Sequence, residues 1–114
     1  MNEIAYLSAL ELAAQIKRGE ISSVELTQHY IDRIEKHDGE VNAIVVRTFD
    51  DALERAKLAD VAMAAGQNLG PLHGVPMTIK ESYVMAGTPT TWGLESFKNN
   101  VSSTDGLAVS RFRA

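Results

Sequence analysis

The first forty residues place apolar side chains at the spacing of two amphipathic helices. Ser8 and Ser22 are each followed three residues later by a glutamate, which is the capping-box signature of a helix N-terminus. We expect the first helix to stop at Gly19 and the second near Gly39, since a glycine commonly ends a helix. The pattern therefore predicts a helical hairpin.

Strand-like patterns come next, separated by a third helix. Residues 44–46 (IVV) form a short β-branched run, which is typical of a buried strand. Residues 75–80 alternate apolar and polar side chains, which predicts a strand with one apolar face. Between these runs, the pair Asp50 and Asp51 begins a helical pattern that ends at Gly66. The order helix, helix, strand, helix, strand indicates an α/β fold.

The end of the sequence begins one more helical pattern. Asp105 is the expected N-cap, and Leu107, Ala108, Arg111 and Phe112 follow at helical spacing. No glycine, asparagine or proline stop signal comes after them, so we expect this element to be cut rather than completed. No repeat or low-complexity linker interrupts the chain, which predicts that all of it, 1–114, is part of one domain with no internal boundary.

Composition narrows the classes of function. The chain has 114 residues, 45% hydrophobic and 23% charged, and a net charge of −4, which is ordinary for a globular protein. No basic run interleaved with aromatic residues is present, so we expect no nucleic-acid partner. Without cysteine, a disulfide framework, a thiolate zinc site and a cysteine nucleophile are excluded. We expect no cofactor, no signal peptide and no membrane span, and a cytoplasmic location.

Lys80 is the candidate for chemistry. It lies at the end of the second predicted strand, between the glycine- and proline-rich loops 70–74 and 86–93. Loops of this kind often carry functional residues, although most lysines at strand ends are solvated surface residues. Periodicity alone therefore favours the surface interpretation.

The histidines and the single tryptophan are the other residues that could form a site. His29 and His37 are eight residues apart on one predicted helix, whereas helical metal ligands are usually four apart, so no metal site is expected. For His73, a hydrogen bond to the backbone of its own loop is favoured over a role in a site. Trp92 is expected either to wall a substrate pocket or to cover the end of the sheet.

The segment 70–80 (GPLHGVPMTIK), with Glu81 and the following AGTPTTWG, resembles the amidase signature family of serine hydrolases. The resemblance extends from about residue 7 to the last residue. It implies the N-terminal part of the amidase-signature fold: the helical hairpin plus the first strands and helices of a mixed sheet, with an incomplete core. In that family the lysine of the GVPxxxK segment is the base of a Ser–Ser–Lys triad, and the matching position is Lys80. Many members have aspartate where this chain has Glu81, a departure that does not touch the base.

The resemblance implies hydrolysis of a carboxylic amide to a carboxylate and ammonia or an amine, acting on a small-molecule substrate. The glycine- and serine-rich segment that carries both catalytic serines in the family has no counterpart here. The serine pairs 22–23 and 102–103 have no glycines around them. We therefore expect the remainder of a longer chain to be needed, and Lys80 in this piece to be exposed, protonated and inactive.

Three alternatives stay open. The chain is also compatible with a piece of the glutamine-hydrolysing subunit of a glutamyl-tRNA(Gln) amidotransferase, although the tryptophan loop and Lys80-Glu81-Ser82 look more like stand-alone amidases. A truncated, non-catalytic remnant is the second alternative, and continuation into a glycine- and serine-rich segment would exclude it. An unrelated small α/β binding module is the third.

Overall fold

The computed structural model describes residues 4–114, which form two compact units. The first unit contains residues 4–43 and 48–77, and the second contains residues 44–47 and 78–114. The expectation of a single domain stays a prediction. Within 4–114, no helix is both long and apolar enough to cross a bilayer.

Three helices make up most of the first unit. A 3-10 turn at Ile4–Tyr6 precedes α1 (Ala9–Lys17), which is followed by α2 (Ser23–Val41) and α3 (Phe49–Ala64). The three predicted helices are therefore confirmed, whereas the packing of α1 against α2 as a hairpin stays a prediction.

Both predicted capping boxes are present. The Glu11 carboxylate accepts the Ser8 N–H at 2.8 Å, and Ser8 Oγ accepts the Glu11 N–H at 3.3 Å. At α2, Glu25 accepts the Ser22 N–H at 2.8 Å, and Ser22 Oγ accepts the Glu25 N–H at 3.0 Å. Each box satisfies donors that a helix N-terminus leaves unpaired, and a cap of this kind is worth about 1 kcal/mol.

The predicted end of α2 near residue 39 is wrong, because the helix runs through Gly39 to Val41. Asn42 ends it in the left-handed conformation (φ 53°) and donates its N–H to the Asp38 carbonyl at 2.7 Å. The buried Asp38 carboxylate also accepts the Ala43 N–H at 2.7 Å. Asparagine tolerates this conformation, so the effective stop signal lies beyond the glycine.

The core of the first unit is small and apolar. Its buried residues are Leu12 and Ile16 of α1 and Leu26 of α2. Partly buried side chains pack around them: Ile4, Leu7, Ile21, Tyr30, Met63 and Val75. Helix α3 also packs against α2 and buries Ala56, which is small enough to allow a close approach.

A hydrogen-bonded junction joins α2, α3 and the loop before residue 75. The Asp60 carboxylate of α3 accepts the N–H groups of Ser23 at 2.7 Å and Val24 at 3.1 Å. The buried Ser23 hydroxyl donates to the Gly74 carbonyl at 2.6 Å. The N-terminus of α2 is thus bonded to both neighbours.

Neither predicted strand is found in the part of the chain that the structure describes. Residues 44–46 and 75–80 have no regular secondary structure. A strand exists only when a neighbour completes its ladder of backbone hydrogen bonds, and no ladder forms on these two runs within residues 4–114. The observed part of the predicted α/β fold is accordingly helical, and the mixed sheet is not seen.

The second unit contains a 3-10 turn at Glu95–Phe97 and the short helix α4 (Leu107–Arg113). An isolated antiparallel bridge pairs Pro89 with Val101. Next to it, Thr90 donates its N–H to the Asn100 carbonyl at 2.9 Å, so the two arms of this loop are held together.

The predicted N-cap of α4 is also wrong. Gly106, not Asp105, is the cap residue, and it makes no side-chain cap bond. The Asp105 carboxylate instead accepts the Ala86 N–H at 2.8 Å and pairs with Arg113 Nη1 at 3.0 Å. The Asp105 carboxylate therefore bonds to a distant backbone N–H and to a cation instead of capping α4.

Apolar burial in the second unit is slight. Val109 is the one apolar residue of its described part that is fully buried. Many large apolar side chains of this unit are exposed: Val45, Val46, Tyr83, Val84, Trp92, Leu94, Phe97, Val101, Leu107 and Phe112. Exposure on this scale is unusual for a surface that faces only water.

The junction at Gly74 predicts a stability effect. A Cβ built there would lie 3.2 Å from Ser23 Cβ and 3.3 Å from Ile16 Cδ1, at a φ of +76°. We expect Gly74→Ala to lower the free energy of unfolding by about 3 kcal/mol, from backbone strain and overpacking together. Urea denaturation followed by circular dichroism measures this.

Gly19→Ala is the matched control. Gly19 has a φ of +69° with no atom within 4 Å of the added Cβ, so only the backbone strain of about 1 kcal/mol applies. Equal losses for the two variants would show that the close packing at Gly74 contributes nothing.

Candidate active site

Lys80 lies where residues 75–80 meet a turn. Its backbone carbonyl accepts the Tyr83 N–H at 2.9 Å, which reverses the chain immediately after the lysine. The side chain is exposed, as expected, and Nζ has no hydrogen-bond or ion-pair partner among residues 4–114. The Lys80 side chain is therefore exposed and unpaired within residues 4–114, and it lies next to a structured loop.

The loop after Lys80 is closed by the carboxylate of Glu81. This carboxylate accepts the backbone N–H groups of both Thr91 and Trp92, the latter at 3.0 Å. The Gly93 N–H is taken by Thr91 Oγ1 at 3.2 Å. We call residues 81–93, with these bonds at their ends, the clasped loop.

Hydrogen bonding favours the ionised form of Glu81. The side chain of Thr91 first, and then the backbone N–H groups of Thr91 and Trp92, lower the pKa of this carboxyl below its ordinary value, while partial desolvation opposes the shift. Sequence reasoning treated Glu81 only as a departure from the family pattern. The donors lie ten and eleven residues further along the chain, so no local pattern in the sequence marks Glu81 as their acceptor.

Trp92 has an unusual backbone. Its φ is 55°, in the left-handed region, where a bulky side chain is an outlier. The residue is 71% exposed. The indole is thus not buried within the described residues. The turn that carries it is held by the two N–H groups, of Thr91 and Trp92, that donate to the Glu81 carboxylate.

Thr90, next in the clasped loop, is buried at 3% exposure. Its carbonyl accepts the side-chain amide of Asn100 at 2.9 Å, but its hydroxyl has no hydrogen-bond partner among the described residues. An unsatisfied buried hydroxyl costs about 1–3 kcal/mol. By contrast, the Thr88 hydroxyl donates to the Met85 carbonyl at 2.8 Å.

His73 belongs to the first unit and is committed to backbone hydrogen bonds. Nδ1 accepts the Leu69 N–H at 3.1 Å, so Nε2 carries the proton and donates it to the Ala59 carbonyl at 2.8 Å. The favoured interpretation, bonding to its own loop, is confirmed, and the second bond extends it to α3. Both ring nitrogens are occupied.

The other histidines give no metal site in the described region. The ring of His29 meets that of Tyr30 edge-on at 5.4 Å, and its buried Nε2 has no partner there. Within residues 4–114, no three histidine, aspartate or glutamate side chains come together as a metal site would require.

Three of the four adjacent serines make structural hydrogen bonds. Ser22 caps α2, and Ser23 donates to Gly74. Ser102 Oγ donates to the Thr104 carbonyl at 2.9 Å and accepts the Thr104 N–H at 3.1 Å, which forms a turn. These three hydroxyls are held in local bonds, so none of them is placed as a nucleophile.

Comparison with known proteins gives a consistent result. The family model described as Amidase matches residues 25–114. A glutamyl-tRNA(Gln) amidotransferase subunit from Renibacterium salmoninarum is 41% identical over 114 residues, which are 100% of this chain and 22% of that protein. The equivalent protein from Moorella thermoacetica is 43% identical over 111 residues, 97% of this chain and 23% of that protein. The chain thus spans less than a quarter of the length of these relatives.

One solved structure also matches the fold. It is described as "An unexpected vestigial protein complex reveals the evolutionary origins of an s-triazine catabolic enzyme". The TM-score is 0.88 at 27% identity, over 94% of this chain and 24% of the solved chain.

The clasped loop predicts a local response to acid. Because the folded-state pKa of Glu81 is lowered, its contribution to stability is complete above the ordinary value of 4.5 and is lost as the pH falls through the lower folded value. Trp92 is the only tryptophan in the chain, so its fluorescence reports this opening. We expect a change in emission in that window.

Glu81→Gln is the control for this titration. It removes the titrating group and leaves the other carboxylates, so the tryptophan signal should stay flat where the parent chain changes. An identical acid transition in both chains would show that another group opens the loop.

Proposed function

The chain belongs to the amidase family, and we propose that it supplies the general base, Lys80, of an amide-hydrolysing enzyme. The observation that carries the proposal is the position of Lys80: it ends the GVPxxxK segment inside the region matched by the family model. The clasped loop begins at the next residue, and its two hydrogen bonds to Glu81 fix the backbone beside Lys80.

The proposed reaction uses serines from other parts of the complete protein. One serine attacks the amide carbonyl, and its proton passes through a second serine to neutral Lys80 Nζ. The lysine then protonates the leaving nitrogen, which departs as ammonia or an amine. Water hydrolyses the resulting acyl-serine ester to a carboxylate and restores the serine.

Lys80 can act as a base only when its amine is neutral. An ordinary lysine, with a pKa of about 10.4, is protonated at neutral pH, and burial is what disfavours the ammonium form. Since Lys80 is exposed here, the proposal requires cover from other parts of the complete protein. The exposed apolar side chains of the second unit are consistent with such cover.

We further propose that residues 75–80 become a strand of a mixed sheet in the complete protein. Alternating side chains supply the pattern, and a neighbouring strand would supply the ladder that residues 4–114 lack. A missing partner strand would explain why residues 75–80 have the sequence pattern of a strand but no regular secondary structure here.

A second candidate function is favoured by the relatives. Those described above are named as glutamyl-tRNA(Gln) amidotransferase subunits, at 41% and 43% identity to the chain. Under this alternative, the amide is the side chain of glutamine, and other subunits of the assembly are partners. Glutamine hydrolysis that depends on added partner subunits would favour it, whereas turnover of simple amides by the protein alone favours a stand-alone amidase.

Substitution of Lys80 tests the base assignment in the complete protein. We expect Lys80→Ala to lower kcat for acetamide by about 10²–10⁴-fold, the usual contribution of a general base. Lys80→Arg should be equally impaired, because a guanidinium keeps its positive charge but cannot accept the proton. Steady-state kinetics with ammonia detection measures both.

Lys98→Ala is the matched control. Lys98 is an exposed lysine of the same unit that pairs with Glu95 at 2.7 Å, and its loss should leave kcat unchanged. Wild-type turnover by Lys80→Ala would eliminate the proposed base.

The 114-residue chain by itself is expected to hydrolyse no amide. The hydroxyls of Ser22, Ser23 and Ser102 are held in hydrogen bonds to nearby groups, and the Lys80 side chain is exposed. The measurement is ammonia release from acetamide at high protein concentration, with the complete protein as positive control. Turnover that disappears in Lys80→Ala would contradict this expectation.

A further inference from the structure

Among the described residues other than glycine, Asn42 and Trp92 alone have a positive φ. Asn42 is the C-cap of α2, a position where asparagine commonly adopts this conformation. Trp92 lies in a loop, has a bulky side chain and is still 71% exposed. Its conformation therefore gains no burial of the indole within this chain, and such strain in a well-held loop is a reason to look for function.

The backbone at Trp92 is held by one side chain, that of Glu81. The Glu81 carboxylate accepts the N–H groups of both Thr91 and Trp92, and bonds to an ionised acceptor are stronger than those between neutral groups. Because Glu81 directly follows Lys80, one glutamate side chain links the turn at Trp92 to the backbone next to the proposed base.

We propose that Trp92 is a specificity-determining residue whose indole contacts an apolar or aromatic acyl group of the amide substrate, and that Glu81 positions it. This inference rests on the proposed function of Lys80. An indole offers a large, flat, rigid apolar surface, which suits a planar or apolar substituent. The methyl group of acetamide is too small to make an extensive contact with it.

The contact would act on binding rather than on the bond-making step. The acyl substituent is present in substrate and transition state alike, so its contact with the indole stabilises both. Loss of that contact raises KM for a substrate with the substituent and leaves kcat nearly unchanged.

The test compares phenylacetamide with acetamide in the complete protein. We expect Trp92→Ala to raise KM for phenylacetamide by about tenfold, the effect of losing one aromatic contact. KM for acetamide should stay within about twofold, and kcat should hold for both. Trp92→Phe keeps an aromatic ring and should keep most of the preference.

Variants of Glu81 test the positioning role. Glu81→Gln removes the charge at constant size and should raise KM for phenylacetamide in the same direction as Trp92→Ala. Glu81→Asp keeps a carboxylate and should restore most of the affinity. Because Glu81 acts through Trp92, the double variant Glu81→Gln/Trp92→Ala should be no worse than Trp92→Ala.

The outcomes separate the two proposals. Acetamide turnover that survives Lys80→Ala overturns the proposed function. A complete protein that hydrolyses neither acetamide nor phenylacetamide overturns this inference and leaves glutamine as the candidate amide. Lys80-dependent turnover in which Trp92→Ala changes KM for both amides equally, or for neither, overturns this inference alone. Strictly additive losses in the double variant overturn the positioning role of Glu81.

Discussion

Side-chain carboxylates satisfy the backbone N–H groups that this chain leaves open at the starts of helices and at turns. Glu11 and Glu25 do so at the first turns of α1 and α2, and Asp60 accepts two further donors of α2. Glu81 and Asp105 perform the same task at loops of the second unit. An unpaired backbone donor is costly wherever water is excluded, so these acceptors fix the starts of α1 and α2, join α3 to α2 and hold the loops of the second unit.

Sequence distance explains which of these contacts could be predicted. The capping boxes join residues three apart, and the sequence predicted both of them correctly. The Glu81 carboxylate reaches a donor ten residues away, and Asp105 reaches one nineteen residues away. No local pattern distinguishes such acceptors from ordinary surface carboxylates, which is why the sequence assigns Asp105 to a cap that it does not form.

The strand predictions failed for a related reason. Alternation along residues 75–80 shows which faces a strand would have, but a strand also needs a partner, and partners are non-local. The candidate base was found by motif rather than by periodicity, since Lys80 alone resembles any surface lysine. The left-handed turn at Trp92 had no signal in its own residue type, because glycine or asparagine is what such a turn normally selects.

His73 has a consequence for how mutations near this region are interpreted. Its ring bridges the Leu69 N–H and the Ala59 carbonyl, so a substitution that removes the ring breaks the link between its own loop and α3. Under the proposed function, variants of the complete protein at this position would lose folded protein, while the molecules that still fold would keep their turnover. A mutational scan scored by total activity would therefore place a scaffold histidine among the catalytic residues, and only abundance measured in parallel would separate the two.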